Sequence, residues 1–233
     1  MIKVVIFDLD GTLVTFNLEV KTCRAEVVQY LTEQGIPCSL LSLNETAFDM
    51  LVKAKKYLTA EGIKDQKFVK IEKMVFSIVE SFELKAARIT EMFPGIPETL
   101  KALKDMKLKI ALCTISGEKA TRHILDRFHL EPFFDAVFTR ESVPEVKPHP
   151  AHLEAVLEAL KVRSQEALLV GDSVKDVACA NHLNVLAVGV TTGLSSIEEL
   201  TRSGAHYIAS SANDIPILIQ KLHSKNGEYL SPV

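Results

Sequence analysis

Two aspartates near the start of the chain, Asp8 and Asp10, have the type and spacing that most directly predict chemistry. They follow a short apolar run, residues 2–7, and precede the turn glycine Gly11. A β-branched run that ends at a glycine predicts a buried strand leading into a loop. Carboxylates this close together raise each other's pKa unless a cation shares the site. Because oxygen-only ligands suit Mg²⁺, the pair predicts a magnesium site at the end of the first strand.

Further polar residues follow apolar runs later in the chain. Thr114 directly follows one run and Asp172 closely follows another, with Asp176 four residues later. Between these segments Lys147 lies ahead of two prolines. The carboxyl ends of parallel strands meet at one edge of a sheet, where open α/β sheets bind ligands. Carboxylates for a metal, a cation and a hydroxyl for phosphate oxygens, and a nucleophile together predict phosphoryl transfer.

The composition favours a soluble globular enzyme over a nucleic-acid or membrane protein. The 233 residues are 47% hydrophobic and 24% charged, which are ordinary values for a globular domain. A net charge of −3 gives no support for a nucleic-acid or membrane surface. No apolar run approaches the roughly 20 residues that span a bilayer, and no signal peptide is visible. We therefore expect a cytoplasmic protein, a monomer or a homodimer, with no nucleic-acid or membrane partner.

The cysteines and histidines do not form a recognisable metal site. The four cysteines are widely spaced, form no CxxC pair, and are predicted to be reduced, buried thiols; they are Cys23, Cys38, Cys113 and Cys179. His149 and His152 have no Cys or Glu cluster at zinc spacing beside them. We predict that they are loop and helix-surface histidines.

The pattern of apolar residues predicts an α/β protein with a helical insertion. Residues 17–88 show helical periodicity without β-type alternation. From residue 93 onward, predicted helices alternate with short strands, an arrangement typical of right-handed crossovers and a mostly parallel, Rossmann-like sheet flanked by helices. The predicted domains are an α/β core of residues 1–16 and 89–233 and a small all-helical insertion of residues 17–88.

Four segments resemble the signature motifs of the haloacid dehalogenase-like (HAD) hydrolases. Asp8-Leu9-Asp10-Gly11-Thr12 is similar to the first motif, Thr114 to the second, Lys147 to the third, and 171–176 to the fourth. The helical insert directly after the first motif resembles the C1-cap branch, which includes phosphoglycolate phosphatase-like enzymes. Because the four segments occur in the family's order, the resemblance is far more specific than any one motif.

The resemblance implies roles in catalysis and phosphate binding. Asp8 would be the nucleophile that forms an aspartyl-phosphate, and Asp10 would protonate the leaving oxygen and then deprotonate water. Thr114 would hydrogen-bond a phosphate oxygen. The backbone N–H groups of Leu9 and Ile115 would bind the remaining phosphate oxygens.

The resemblance also implies how the site would handle charge. Lys147 would neutralise charge between Asp8 and the phosphoryl group. Asp172 would bind Mg²⁺ together with Asp8 and the backbone carbonyl of Asp10, and Asp176 would orient that set of ligands or join it. The helical cap would close over the site and exclude water.

Within the family, Asp10 favours phosphate-ester chemistry, because members that cleave carbon–halogen or carbon–phosphorus bonds lack an acid at this position. The sequence therefore predicts a Mg²⁺-dependent phosphatase acting on a small phosphorylated metabolite, of the phosphoglycolate or sugar phosphate class. Residues 14–17 depart from many relatives, which leaves the substrate open. A β-phosphoglucomutase-like phosphomutase and a non-catalytic binding member remain as alternatives. Taken singly, Asp172, Thr114 or Asp176 could also be helix-capping residues.

Overall fold

The structure, a computed structural model, describes residues 1–63 and 65–224. Six strands within these residues form one sheet in which every neighbouring pair is parallel. They are β1 (Val4–Phe7), β2 (Lys109–Cys113), β3 (Ala136–Phe138), β4 (Ala167–Gly171), β5 (Leu186–Val190) and β6 (Tyr207–Ala209). The strand order is β3-β2-β1-β4-β5-β6.

Helices make up most of the remaining described chain. Those before β2 are α1 (Val20–Glu33), α2 (Ala47–Ala60), α3 (Asp65–Ile89) and α4 (Ile96–Asp105). Those after β2 are α5 (Glu118–Arg127), α6 (Pro150–Leu160), α7 (Val174–His182), α8 (Ile197–Arg202) and α9 (Ile215–Ser224). None of the helices in the described ranges is long and apolar enough to cross a membrane.

The sheet places β1 between two strands that are distant in sequence. Every residue of β1 is buried, as expected for a strand covered on both faces by helices. Phe7, its last residue, pairs with Leu112 of β2 on one side and Val170 of β4 on the other. Strand order reverses beside β1, so its carboxyl end lies at the position where open α/β sheets bind ligands.

The predicted fold class, a parallel Rossmann-like sheet flanked by helices, is confirmed. The short helix α8 was not predicted. A six-residue helix is too short to show periodicity. Of the cysteines predicted to be buried, Cys38 is exposed and the other three are buried.

The chain divides into two compact units, Met1–Phe16 with the residues from Thr90 onward, and Asn17–Ile89. The second unit contains α1, α2 and α3, whose apolar faces form their own buried core. Thr46 is the N-cap of α2. The side chains of Thr46 and Asp49 each accept a hydrogen bond from the other residue's backbone N–H. That this unit acts as a cap stays a prediction.

Replacing Ile110 of β2 with alanine tests the core that supports the strand ends. Ile110 is fully buried, and Ile→Ala at such a site removes transfer free energy and leaves a cavity. We expect the free energy of unfolding, measured by urea titration, to fall by about 2–5 kcal/mol. The control Ile217→Ala, in α9 where the side chain is 56% exposed, should change it by less than about 0.5 kcal/mol. Equal effects of the two variants would contradict this account of the core.

Candidate active site

The site is built around an ammonium group shared by two carboxylates. Nζ of Lys147 lies 2.7 Å from Oδ1 of Asp8 and 2.5 Å from Oδ1 of Asp176. Asp8 follows β1, Lys147 lies in the loop before α6, and Asp176 is in the first turn of α7. All three side chains are buried. One lysine therefore connects three segments that are far apart in sequence.

Asp176 also belongs to the start of its helix. Its Oδ2 accepts hydrogen bonds from the backbone N–H of Ser173 at 3.1 Å and from the Ser173 hydroxyl at 2.7 Å. Such bonds satisfy a donor at the helix N-terminus that has no intrahelical partner. The capping role that the sequence allowed for Asp176 is thus present together with the ion pair to Lys147.

Asp172, the third buried carboxylate at this edge of the sheet, is hydrogen-bonded by the loop after β5. Its Oδ2 accepts the backbone N–H of Leu194 at 2.7 Å. Two glycines make room for it, because a Cβ on Gly11 or Gly193 would collide with the Asp172 carboxyl group. Gly11 also has a φ of +81°, a left-handed conformation that glycine adopts readily. Small residues on both sides thus fix the carboxylate in a narrow space.

Asp8, Asp172 and Asp176 together have the composition of a magnesium site. Each offers one carboxylate oxygen, and these oxygens lie within 4.8 Å of one another. Hard oxygen donors of this kind are the ligands that Mg²⁺ prefers, and the residues present therefore fit it. The carboxylate of Asp10 is outside this group, in keeping with the expectation that Asp10 would contribute its backbone carbonyl instead.

Burial dominates the electrostatics of this cluster. It raises the pKa of Asp8 well above its usual value, although the Lys147 charge opposes the shift. Burial and the Asp176 charge raise the pKa of Asp172 to about 6. Burial alone would lower the pKa of Lys147, but Asp176 and Asp8 outweigh it and raise that pKa well above its usual value. The two carboxylates therefore favour the charged form of Lys147.

Asp10 lies beside this cluster and has its own partner. Its Oδ2 accepts a hydrogen bond of 2.6 Å from the hydroxyl of Ser116, in the loop after β2. Burial raises the pKa of Asp10, while the Ser116 hydrogen bond and the Lys147 charge offset part of that shift. A carboxyl group with a raised pKa is suited to both giving and taking a proton near neutral pH.

The groups predicted to bind phosphate oxygens lie on the same two loops. Thr114 is buried after β2, and its Oγ1 accepts the Ser116 N–H at 3.1 Å, which leaves the hydroxyl proton free to donate elsewhere. Among the residues that the structure describes, the N–H groups of Leu9 and Ile115 donate to no other group. Unused N–H donors of this kind are what an anion site requires.

The sequence predicts that His152 lies on the surface of a helix. In the structure its side chain is fully buried. Its Nδ1 accepts the backbone N–H of Lys147 at 3.4 Å. Burial and the Lys147 charge lower its pKa to about 4. The surface interpretation was wrong because position 152 lies on the inner face of α6, which the periodicity of one short helix does not reveal.

The structure thus brings together at one edge of the sheet every residue singled out from the sequence for catalysis or metal binding. Their roles stay predictions, since geometry alone assigns no role. Sequence reasoning missed the contacts of Ser116, Leu194 and His152 with these residues. Ser116 lies two positions after Thr114 and could have been considered, whereas nothing local to Leu194 indicates a contact with Asp172.

Comparison with known proteins agrees with this fold. A family model described as haloacid dehalogenase-like hydrolase matches residues 5–190. The chain therefore belongs to the haloacid dehalogenase-like hydrolases. The resemblance stated from the four motifs is confirmed.

Individual relatives are similar over nearly the whole chain. A phosphoglycolate phosphatase from Cereibacter sphaeroides is 31% identical over 224 residues, 94% of this chain and 98% of the relative. The pyrophosphatase PpaX of Bacillus cereus is 27% identical, over 93% of this chain and 96% of the relative. A β-phosphoglucomutase structure from Clostridium difficile shares the fold at 19% identity with a TM-score of 0.67, covering 97% of this chain and 98% of that one. The prediction of a phosphatase-type hydrolase is confirmed at the level of the family.

The buried imidazole of His152 makes stability depend on pH in a defined direction. Its pKa is about 4 in the folded protein and about 6.5 when unfolded. The unfolded chain binds the proton first as pH falls, so this contribution is complete above pH ~6.5 and is lost between pH ~6.5 and ~4. The loss should amount to about 3 kcal/mol. Urea titrations of the wild type and His152→Asn at several pH values measure it as a difference.

The matched control is His123→Asn, which changes an exposed histidine of α5. It should follow the wild type at every pH, whereas His152→Asn should lose less stability on acidification. Parallel curves for the wild type and His152→Asn would contradict a neutral, buried His152.

Proposed function

We propose that the protein is a Mg²⁺-dependent phosphatase that hydrolyses a small phosphorylated metabolite through an aspartyl-phosphate on Asp8. The observation that carries the proposal is the Lys147 ammonium, 2.7 Å from Asp8 and 2.5 Å from Asp176 at the carboxyl edge of the sheet. A nucleophilic carboxylate must be ionised, and a cation in contact with a buried carboxylate favours the ionised form. Lys147 supplies that cation.

In the first step an oxygen of Asp8 attacks phosphorus. The new bond joins that oxygen to phosphorus while the ester P–O bond breaks, and Asp10 gives its proton to the departing oxygen. The hydroxyl of Thr114 and the N–H groups of Leu9 and Ile115 donate to the phosphoryl oxygens, where negative charge is greatest.

In the second step water attacks the phosphorus of the aspartyl-phosphate. Asp10, ionised after the first step, accepts the proton of the water, and the bond from Asp8 to phosphorus breaks. Inorganic phosphate leaves, and both aspartates return to their starting protonation states. One carboxyl group thus acts as acid and then as base, which requires a pKa near the working pH.

The three-carboxylate group supports a bound Mg²⁺. Asp8, Asp172 and the backbone carbonyl of Asp10 would hold the ion, with Asp176 orienting that set or joining it, and its charge would stabilise the phosphate oxygens. Both carboxylate oxygens of Asp176 already accept bonds within the protein. This engagement favours the orienting role for Asp176.

The substrate class comes from the relatives. Phosphoglycolate phosphatases at 31% identity and a pyrophosphatase at 27% identity support a small phosphorylated compound. We take phosphoglycolate as the first candidate and inorganic pyrophosphate as the second.

Changing Asp8 to asparagine should abolish turnover without unfolding the protein. The amide lacks the charge needed to attack phosphorus, so phosphate release should fall by at least about 10³-fold. Phosphate release is measured with the best substrate, and circular dichroism follows the fold. Asp105→Asn, which changes an exposed aspartate of α4, is the matched control and should keep full activity. Full activity in Asp8→Asn would exclude the aspartyl-phosphate mechanism.

The activity itself is tested with a panel of phosphoglycolate, pyrophosphate, sugar phosphates and nucleotides. We expect phosphate release from one or two of these with Mg²⁺ and none with EDTA, because removal of the ion leaves the carboxylates uncompensated. A phosphomutase would instead convert one sugar phosphate isomer into another and require a sugar bisphosphate. Release that persists in EDTA would contradict the metal requirement, and absence of any turnover would contradict the phosphatase.

A further inference from the structure

We propose that Ser116 is a positioning residue for Asp10, which holds the Asp10 carboxyl group so that Oδ1 faces the departing oxygen of the substrate. The inference rests on the proposed function, in which Asp10 is the acid and base. It adds a residue outside the four motifs to the machinery of proton transfer.

The Ser116–Asp10 contact is short and has no competitor. The hydroxyl lies 2.6 Å from Oδ2 of Asp10, within the range of hydroxyl–carboxylate bonds. Across residues 1–63 and 65–224, it is the one hydrogen bond that the Asp10 carboxyl group receives. Without it, the carboxyl group would be free to rotate about its terminal torsion, which is broad in aspartate.

The backbone of Ser116 is fixed, so its hydroxyl is a stable reference point. The Ser116 N–H donates to Oγ1 of Thr114 at 3.1 Å, and the Ser116 carbonyl accepts the N–H of Arg140 at 3.2 Å. Both bonds belong to the edge formed by the ends of β2 and β3. The loop that binds phosphate thus also sets the position of the proton donor.

A hydroxyl is the right partner for a group that changes protonation state. It donates to Oδ2 of an ionised carboxylate and equally to Oδ2 of a carboxyl group that carries its proton on Oδ1. Ser116 can therefore keep its bond to Oδ2 through both steps of the reaction. The proton that is transferred is then confined to Oδ1, the oxygen without a protein partner.

This role predicts an effect that depends on the departing group. An alkyl phosphate releases a strongly basic oxygen that needs a proton, whereas p-nitrophenyl phosphate releases a weakly basic phenolate that does not. Misplacing the acid should slow only the first reaction. The parameter to compare is kcat/KM, because it covers the steps up to the departure of the leaving group and excludes hydrolysis of the aspartyl-phosphate.

The experiment compares phosphoglycolate with p-nitrophenyl phosphate in the wild type, Ser116→Ala, Ser116→Thr and Asp10→Asn. We expect Ser116→Ala to lower kcat/KM about 10- to 100-fold for phosphoglycolate and less than about threefold for p-nitrophenyl phosphate. Ser116→Thr keeps the hydroxyl and should recover most of the loss. Asp10→Asn should show the same selectivity with a larger loss. Ser203→Ala, at the end of α8, is the matched control for removal of a serine hydroxyl.

Two results would overturn the inference, and two others would overturn the function on which it rests. An equal loss on both substrates in Ser116→Ala, or no recovery in Ser116→Thr, would mean that Ser116 acts on the fold alone. If Asp10→Asn itself showed no selectivity, the proposed role of Asp10 would be wrong, and an inactive wild type would contradict the phosphatase. If Ser116→Ala fails to fold, Ser116→Cys keeps the side-chain size with a weak donor and provides the same comparison.

Discussion

The described structure depends on how one ammonium group compensates buried carboxylates. Asp8, Asp172 and Asp176 are all buried, and the charge of Lys147 is in direct contact with only two of them. A buried, uncompensated carboxylate is costly, so such groups are paired, hydrogen-bonded or neutralised by a proton. The third carboxylate, Asp172, accepts a hydrogen bond from the Leu194 N–H. Three carboxylates with one lysine nevertheless leave the cluster with too little positive charge. A further cation would complete the compensation, as in the proposed magnesium site.

The sheet makes this compensation possible. Asp8 and Lys147 are separated by 139 positions in sequence. They meet because the strands are parallel, so that the segments following β1 and β3 both start from the same edge of the sheet. The site is therefore a property of strand order and cannot form from any one segment. Disruption of the parallel register between β1 and β4 would move Asp8 and Asp172 apart, since each follows the strand closely.

The sequence predicts much of this arrangement because two physical signals are local. Short β-branched runs ending at glycine or aspartate mark the strand ends, and the polar residues of the site lie at those ends. The signals that failed are not local. His152 is buried by packing against other elements, Leu194 contacts Asp172 across a loop, and the Ser116 hydroxyl contacts Asp10 across 106 positions. Each depends on tertiary structure, which no pattern within one helix or strand reports.

Asp176 has an evolutionary consequence, since it both begins α7 and pairs with Lys147. A relative without catalytic activity would still be expected to retain this aspartate, because losing it would remove a helix cap and leave a buried ammonium with one partner fewer. Retention of Asp176 is therefore explained by the fold alone, and an intact fourth motif is by itself weak evidence that a relative turns over substrate.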